Sequence, residues 1–481
     1  MTAILLFKFV LGYFLLLLLV AWLTGRKSNN ESFFIGNRNS NWMLVAFGMI
    51  GTSLSGVTFV SVPGAVIKDN FSYFQITLGY LIGYIVIAYL LLPLYYKLKL
   101  TSIYHYLNGR LGIVSYKTGA SFFILSRVLG ATARLYLVVN ILQDCILQQL
   151  GIPFWLITLI ILAMIILYTY QGGVKTIVWT DTLQTTCMLA GLVICVVYML
   201  HSLHLSVTDS VTAMNKKGYS TIFFFNILSK QYLFKQLLAG AFISITMTGM
   251  DQEMMQKNIS VKRLGDSQKN VITMAIVMMG VILLFLFLGG LLYLYAEQLK
   301  ITTTGDKLFP FIALHTMPQF VGIIFIIALI SALFPSADGA ITALTASFCI
   351  DLLNINNNKS WNEPYKKNIR HIVHLSFAVI FLLFVLLYKW INNPSMIGVI
   401  LKVATYTYGP LLGLFSFSIL TKRLVNDKLV PIVCVLSPII CFFIDNNQQI
   451  LFGKFQIGLE LLIINGLLTF AGLLFISKPS K

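Results

Sequence analysis

Residues 328–351 read ALISALFPSADGAITALTASFCID, and the rest of the chain is organised around what that stretch needs. It continues an apolar run that begins near Phe320, which places it at membrane depth. Yet its centre holds Pro335, Ser336, Asp338 and Gly339, with hydroxyls following at Thr342, Thr345 and Ser347. A carboxylate in the middle of a spanning helix costs ~2.5–3.5 kcal/mol on insertion scales, so it is seldom there without a partner. Proline also frees a backbone carbonyl one turn earlier, near Ser331 and Ala332. Oxygens from a bent backbone, hydroxyls and a carboxylate are the ligands that small hard cations take. The stretch reads as an ion site inside a spanning helix.

Composition supports that depth. The 481 residues are 58% hydrophobic and only 10% charged, where soluble domains carry roughly 25% charged residues. The chain is therefore a polytopic membrane protein, with about 13 apolar segments long enough to span. The first, Ile4 to Thr24, lacks a small-residue cleavage site and reads as a retained helix. The cysteines at 145, 187, 195, 349, 434 and 441 lie in or beside apolar segments without a CxxC pair, so they signal neither disulfide nor zinc. The net charge of +18 is distributed as topology rather than as a nucleic-acid surface. Alternate loops hold most of the basic residues, among them Arg26, Lys97, Arg110, Lys257, Lys262, Arg263, Lys366, Lys367 and Lys422. By the positive-inside rule the N-terminus is outside and the C-terminus cytoplasmic.

The second span is also irregular. Met49 to Gly64 reads MIGTSLSGVTFVSVPG, in which glycines and hydroxyls compete with a continuous helix. Backbone of this kind is tolerated at membrane depth where it lines a cavity, although close packing by small residues is the plainer alternative. The fourth span carries Arg127 and Arg134, two turns apart on one face. Between the fifth and sixth spans, YTYQGGVKTIVWTDTLQ (168–184) turns at Gly172-Gly173 and places Asp181 about one turn into the next helix. LLAGAFISITMTGMDQEMMQKN (237–258) is interrupted like the second span, and the eleventh span holds Lys402 ahead of YTYGPLLGLF (406–415).

Five pieces together resemble the sodium/solute symporter family: FFIGNRNSNWMLVAFGMIGTSLSG (33–56), PLYYKLKLTSIYHYLNGRLG (93–112), TYQGGVKTIVWTDTLQ (169–184), GMDQEMMQKNISVKRLGDSQK (249–269) and YTYGPLLGLF (406–415). The resemblance implies an all-α polytopic protein of LeuT-type 5+5 inverted-repeat fold, a single transporter domain over 1–481. It implies a leading helix at 4–24, repeats at about 42–200 and 233–420, and two C-terminal helices within 430–477, with a broken helix opening each repeat. It further implies a sodium site made by the carbonyls of Gly51, Leu54 and Ala332 and by adjacent hydroxyl positions that fall here on Pro335 and Ser336. Pro335 departs from the family pattern there. Some members hold a second sodium with the acid matching Asp181, whose partner position one turn further on is Asp338 here instead of a hydroxyl. On the substrate side, the glutamine of members that carry sugars or sialic acid matches Thr58, and a sugar-contacting asparagine matches Ser244. The fourth span resembles the helix that supplies a carboxylate-binding arginine, so Arg127, Arg134 and Lys402 point to a small organic anion.

Plainer readings stand beside these. Asp338 reads also as a hydrogen-bonded packing acid, Asp181 as a solvated or capping one, and Ser336 as a hydroxyl bonded one turn back. The two arginines and Lys402 read also as snorkelling or structural cations. The chain places no His–Glu or Ser–His constellation at catalytic spacing, and His371 and His374 fall in a basic stretch, so no enzyme is expected. The expected function is cation-coupled, sodium-driven import of a small solute by alternating access. Its alternatives are proton coupling, a neutral sugar or amino-acid solute, or a transporter-like sensor, which an end at Lys481 leaves without an output domain. Sodium serves as coupling ion with no cofactor. The partners are sodium, solute and the lipid bilayer of the plasma (inner) membrane, without nucleic acid or an obligate protein partner.

Overall fold

Apolar runs with no water to bond their amides have to become helices, because each peptide group must be satisfied within its own segment. The structure, a computed structural model, describes residues 3–25, 33–34, 38–147, 151–355, 360–391 and 396–479. Among them nine helices are long and apolar enough to cross a membrane. Two further pairs are bent spans: Leu233–Gly249 with Gln252–Ile259, bent by 65°, and Ile397–Thr407 with Gly409–Leu420, bent by 42°. Phe154–Tyr170 and Leu461–Phe475 are shorter apolar helices. The two segments read as irregular are the innermost: Trp42–Asp69 and Gln319–Leu352 are each 78% buried over their apolar windows, against 28% for the first helix.

Trp42–Asp69 breaks at Ser55, whose φ of 44° and ψ of 165° are far from helical. This first broken helix lies against Gln319–Leu352, the carboxylate helix. A Cβ on Gly51 would overlap the Thr185 hydroxyl and sit 3.7 Å from Pro335, and one on Gly56 would sit 3.7 Å from the Leu333 backbone. The chain reverses at Gly173 (φ 52°), between Phe154–Tyr170 and Thr176–Leu203. Pro335 does not bend its helix as expected from sequence; Gln319–Leu352 runs through it as one span. Gly51 of the first broken helix packs beside the proline ring.

The second broken helix is Leu233–Gly249, ending in a π-helical turn at Ile245–Gly249, followed by Gln252–Ile259. The other helices enclose these three. Ile113–Leu142 carries both arginines, and Asp427 accepts bonds from the backbone amides of Val114 and Ser115 at its N-terminus, where a negative charge complements the helix dipole. Cys187, Cys195, Cys349, Cys434 and Cys441 are free thiols.

Candidate substrate cavity and cation site

A cavity of about 100 Å³ lies between the first broken helix, Tyr73–Lys97, the arginine helix Ile113–Leu142, the second broken helix, Leu264–Gln298 and Ile397–Thr407. Thr58, Ser244, Arg127 and Arg134 all line it, and so do Leu54 and Ser55 at the break. Its wall reaches Tyr73 and Ile397, which lie at the starts of their helices on the side away from the basic loops. Four of the residues singled out for substrate therefore meet in one place. Lys402 does not join them. Its ammonium is 2.7 Å from Asp445 and it is 60% exposed, lining a separate surface groove with Lys230 and Gln456. The helix that carries it does border the cavity, through Ile397 and Ile400, but Lys402 lies on another face.

The two arginines differ. Arg127 is buried and donates through Nη2 to Glu253 Oε2, while its Nη1 is 3.6 Å from Asp251 Oδ2. Arg134 is half-buried and, among the described residues, makes no hydrogen bond or ion pair. It is the guanidinium that faces the cavity free to bind.

Behind Arg127 the charges continue. Glu253 Oε1 is 3.5 Å from Lys257 Nζ, and Lys257 Nζ lies 2.7 Å from both Asp181 Oδ2 and Thr52 Oγ1. Thr52 in turn is 3.3 Å from Asp181 Oδ2. Asp181, Glu253 and Lys257 are all at most 3% exposed. Glycines make the room: a Cβ on Gly339 would strike the Glu253 carboxylate, and one on Gly48 would lie 3.0 Å from Asp181 Cβ. Lys257 was expected among the loop cations; the helix of Gln252–Ile259 instead carries it inside, one turn beyond Glu253. The signal available in the sequence was the Glu253–Lys257 spacing of four, which pairs opposite charges on one helix face.

Around Asp181 several buried acceptors lack a partner: Asp181 Oδ1, Thr185 Oγ1 and Gln184 Oε1, with Thr342 Oγ1 on the carboxylate helix. Buried oxygens normally find a donor or a cation. The donor set of carboxylate, hydroxyl, amide and backbone oxygens fits a sodium ion. Gly51 is beside Thr185 and Pro335, which brings the backbone of the first broken helix to this group. Ser336 Oγ donates to the Leu333 carbonyl at 2.8 Å, the plain one-turn-back bond, and Ala332 is fully buried beside it.

Asp338 departs from the expected shared site. Its Oδ2 accepts a bond of 2.7 Å from the Tyr168 hydroxyl and its Oδ1 takes the Gly339 amide, while the near cation of Asp181 is Lys257. His374 is also not in a loop: it is buried, with Thr169 Oγ1 at 3.1 Å from one ring nitrogen and Thr345 Oγ1 at 3.0 Å from the other.

The second break is held by hydroxyls and a carboxylate. Tyr95 donates to the Gly249 carbonyl and Tyr104 to the Met250 carbonyl, each at 2.8 Å. Asp251 caps Gln252–Ile259 by accepting the Glu253 amide at 2.9 Å, and its other oxygen takes the Tyr408 hydroxyl at 2.8 Å. None of Tyr95, Tyr104, Asp251 or Tyr408 had been singled out from the sequence as a site residue.

Two interrupted helices meeting at a mid-membrane cavity, with ionised groups buried between them, define a secondary transporter of LeuT-type fold. The sodium:solute symporter family profile matches residues 33–428, and the chain belongs to that family. It is a multi-pass membrane transporter, not an enzyme. The sodium/sialic acid symporter NanT of Aliivibrio fischeri is 24% identical over 461 residues, covering 92% of this chain and 88% of that protein. Sodium-coupled monocarboxylate transporter 1 of Mus musculus is 24% identical over 416 residues, 83% of this chain; the match spans 66% of that relative's length. The solved structure of a Na+-coupled sialic acid symporter in a substrate-bound outward-open state superposes with a TM-score of 0.84 at 18% identity, over 99% of both chains. A nucleobase-cation-symport-1 family transporter in a closed conformation matches with a TM-score of 0.57 at 11% identity over 93% of each. These likenesses establish the shared fold.

Proposed function

We propose that the protein imports a small organic anion together with sodium, by alternating access, with its N-terminus outside and its C-terminus in the cytoplasm of a plasma (inner) membrane. The observation that carries this reading is Arg134: a guanidinium facing a cavity of about 100 Å³ with no hydrogen bond or ion pair among the described residues. Arginine's planar fork suits a carboxylate bound by two parallel bonds. Thr58, Ser244, Thr248 and the tyrosines Tyr73, Tyr80 and Tyr84 supply hydroxyls to the cavity, and Met247, Ile243 and Ile400 supply apolar surface, a mixed lining that a small carboxylate with a short carbon body can use. The relatives named for sialic acid and monocarboxylates carry anions of this class.

Unpaired buried oxygens support cation coupling: Asp181 Oδ1 and the Thr185 hydroxyl have no donor, and a monovalent cation would satisfy both. In this reading the carbonyls of Gly51, Leu54 and Ala332 with the Ser336 oxygen take one sodium, and Asp181 holds the second sodium position that the resemblance implies. The broken helices open two repeats, at about 42–200 and 233–420, that rock against each other. Asp338 favours a second reading: a carboxyl bonded to Tyr168 in the membrane interior can carry a proton instead. Competition uptake into proteoliposomes, setting short-chain acids and sialic acid against their amides, tests the anion. Acids are expected to compete and amides to fail; equal competition would make the arginines structural and favour a neutral solute.

A further inference from the structure

Four buried side chains alternate in sign between the cavity and the oxygen cluster around Asp181. Arg127 lines the cavity and binds Glu253; Glu253 is 3.5 Å from Lys257; Lys257 is 2.7 Å from Asp181. Each inner member has two partners to choose from. Glu253 Oε1 makes no hydrogen bond, and Asp181 Oδ1 makes none either, so both carboxylates have spare capacity. From these contacts we infer that Glu253 and Lys257 form a relay that couples sodium at Asp181 to an anion held by Arg134 that also reaches Arg127 in the same cavity wall. The inference rests on the sodium and anion reading above and assigns its coupling to two residues.

The relay works by exchange of partners. A carboxylate entering the cavity competes with Glu253 for Arg127. The freed Glu253 then attracts Lys257 more strongly, across a gap that is longer than the Lys257–Asp181 contact by less than an ångström. As Lys257 moves from Asp181 towards Glu253, Asp181 loses the ammonium that neutralises it, and its oxygens, with the Thr185 hydroxyl and Gln184, gain affinity for sodium. In the other direction, sodium at Asp181 displaces Lys257 onto Glu253, which loosens Glu253 from Arg127 and readies the arginine for the anion. Linkage requires the two effects to be equal in size. Gly339, whose lack of a side chain leaves the space that Glu253 occupies, allows the carboxylate to sit between both cations.

The relay makes signed predictions for sodium alone, without any substrate. They are read as radioactive-sodium binding to the purified full-length protein in nanodiscs, with sodium-dependent thermal stabilisation as a second readout. Lys257→Gln removes the competing ammonium and should tighten sodium by about tenfold; Glu253→Gln leaves Lys257 held by Asp181 alone and should weaken it by a similar factor. Arg127→Gln, a change in the cavity wall, should tighten sodium because Glu253 is then free for Lys257. That gain should vanish when Glu253→Gln is present as well, as a double-mutant cycle detects. The paired change Glu253→Gln with Lys257→Gln keeps the cluster's charge balanced and guards against loss of fold in the single variants. Its sodium affinity should match that of Lys257→Gln. An Arg127→Gln effect that is absent, or that persists unchanged without Glu253, overturns the relay while leaving sodium coupling intact. An unmutated protein that binds no sodium overturns the coupling reading and the relay together.

Discussion

Both broken helices bring an interruption to the middle of the membrane, and the chain finishes the two interruptions in opposite ways. At the second, the carbonyls of Gly249 and Met250 each receive a tyrosine hydroxyl, and Asp251 satisfies the amides that restart the helix. At the first, Ser55 turns to a φ of 44° beside the cavity, and among the described residues no side-chain donor reaches a backbone oxygen of residues 51–55. The price of an unpaired carbonyl in hydrocarbon is several kcal/mol, so the second break is closed by the protein itself. The first leaves oxygens for a ligand. One break is closed by side chains, and the other leaves its oxygens open beside the cavity.

The largest expected effect is at the closed break. Asp251→Ala removes the helix cap, the acceptor for Tyr408 and a counter-charge of Arg127 at once. Breaking a buried pair in this way costs about 3–5 kcal/mol, so folded protein should be lost on size-exclusion chromatography in detergent. A well-folded Asp251→Ala protein would erase the contrast between the breaks. Beside the open break, Arg134→Gln should leave thermal unfolding unchanged, because Arg134 has no internal partner. It should nevertheless weaken acid binding by about 2 kcal/mol, the value of a charge-assisted bond. Titration of the two proteins with the same acid checks this. At the bottom of the scale, Lys402→Gln should change uptake and stability by no more than about 0.5 kcal/mol, since its pair with Asp445 is exposed.

Both breaks were legible where glycine and hydroxyl residues crowd an apolar run, although such residues also serve close helix packing. The family resemblance pointed to Thr58, Ser244 and the arginines of the fourth span as substrate contacts without telling which arginine faces the cavity; both line it. The remainder depended on which way a helix faces. Lys402 lies on a cavity helix but its side chain meets Asp445, 43 residues further along the chain and invisible to spacing. Lys257 sits among loop cations in the sequence, and only the extra helical turns after Asp251 carry it inwards. Pro335 promised a bend, yet Gln319–Leu352 runs through it as one span. Asp338 promised a cation ligand and found the Tyr168 hydroxyl. Each of these turns on a partner distant in sequence, which local pattern does not encode.

The most direct measurement of the central claim is accumulation of a radiolabelled organic acid in proteoliposomes under imposed ion gradients. The competition series above selects the acid. An inward sodium gradient should drive uptake above equilibrium at fixed pH, and dissipating that gradient should abolish it. A membrane potential of ~100 mV, inside negative, adds ~2.3 kcal/mol for each net charge moved and should raise uptake if sodium exceeds the anion in stoichiometry. Equal accumulation from a proton gradient in sodium-free buffer would contradict the account and transfer the coupling role from Asp181 to Asp338.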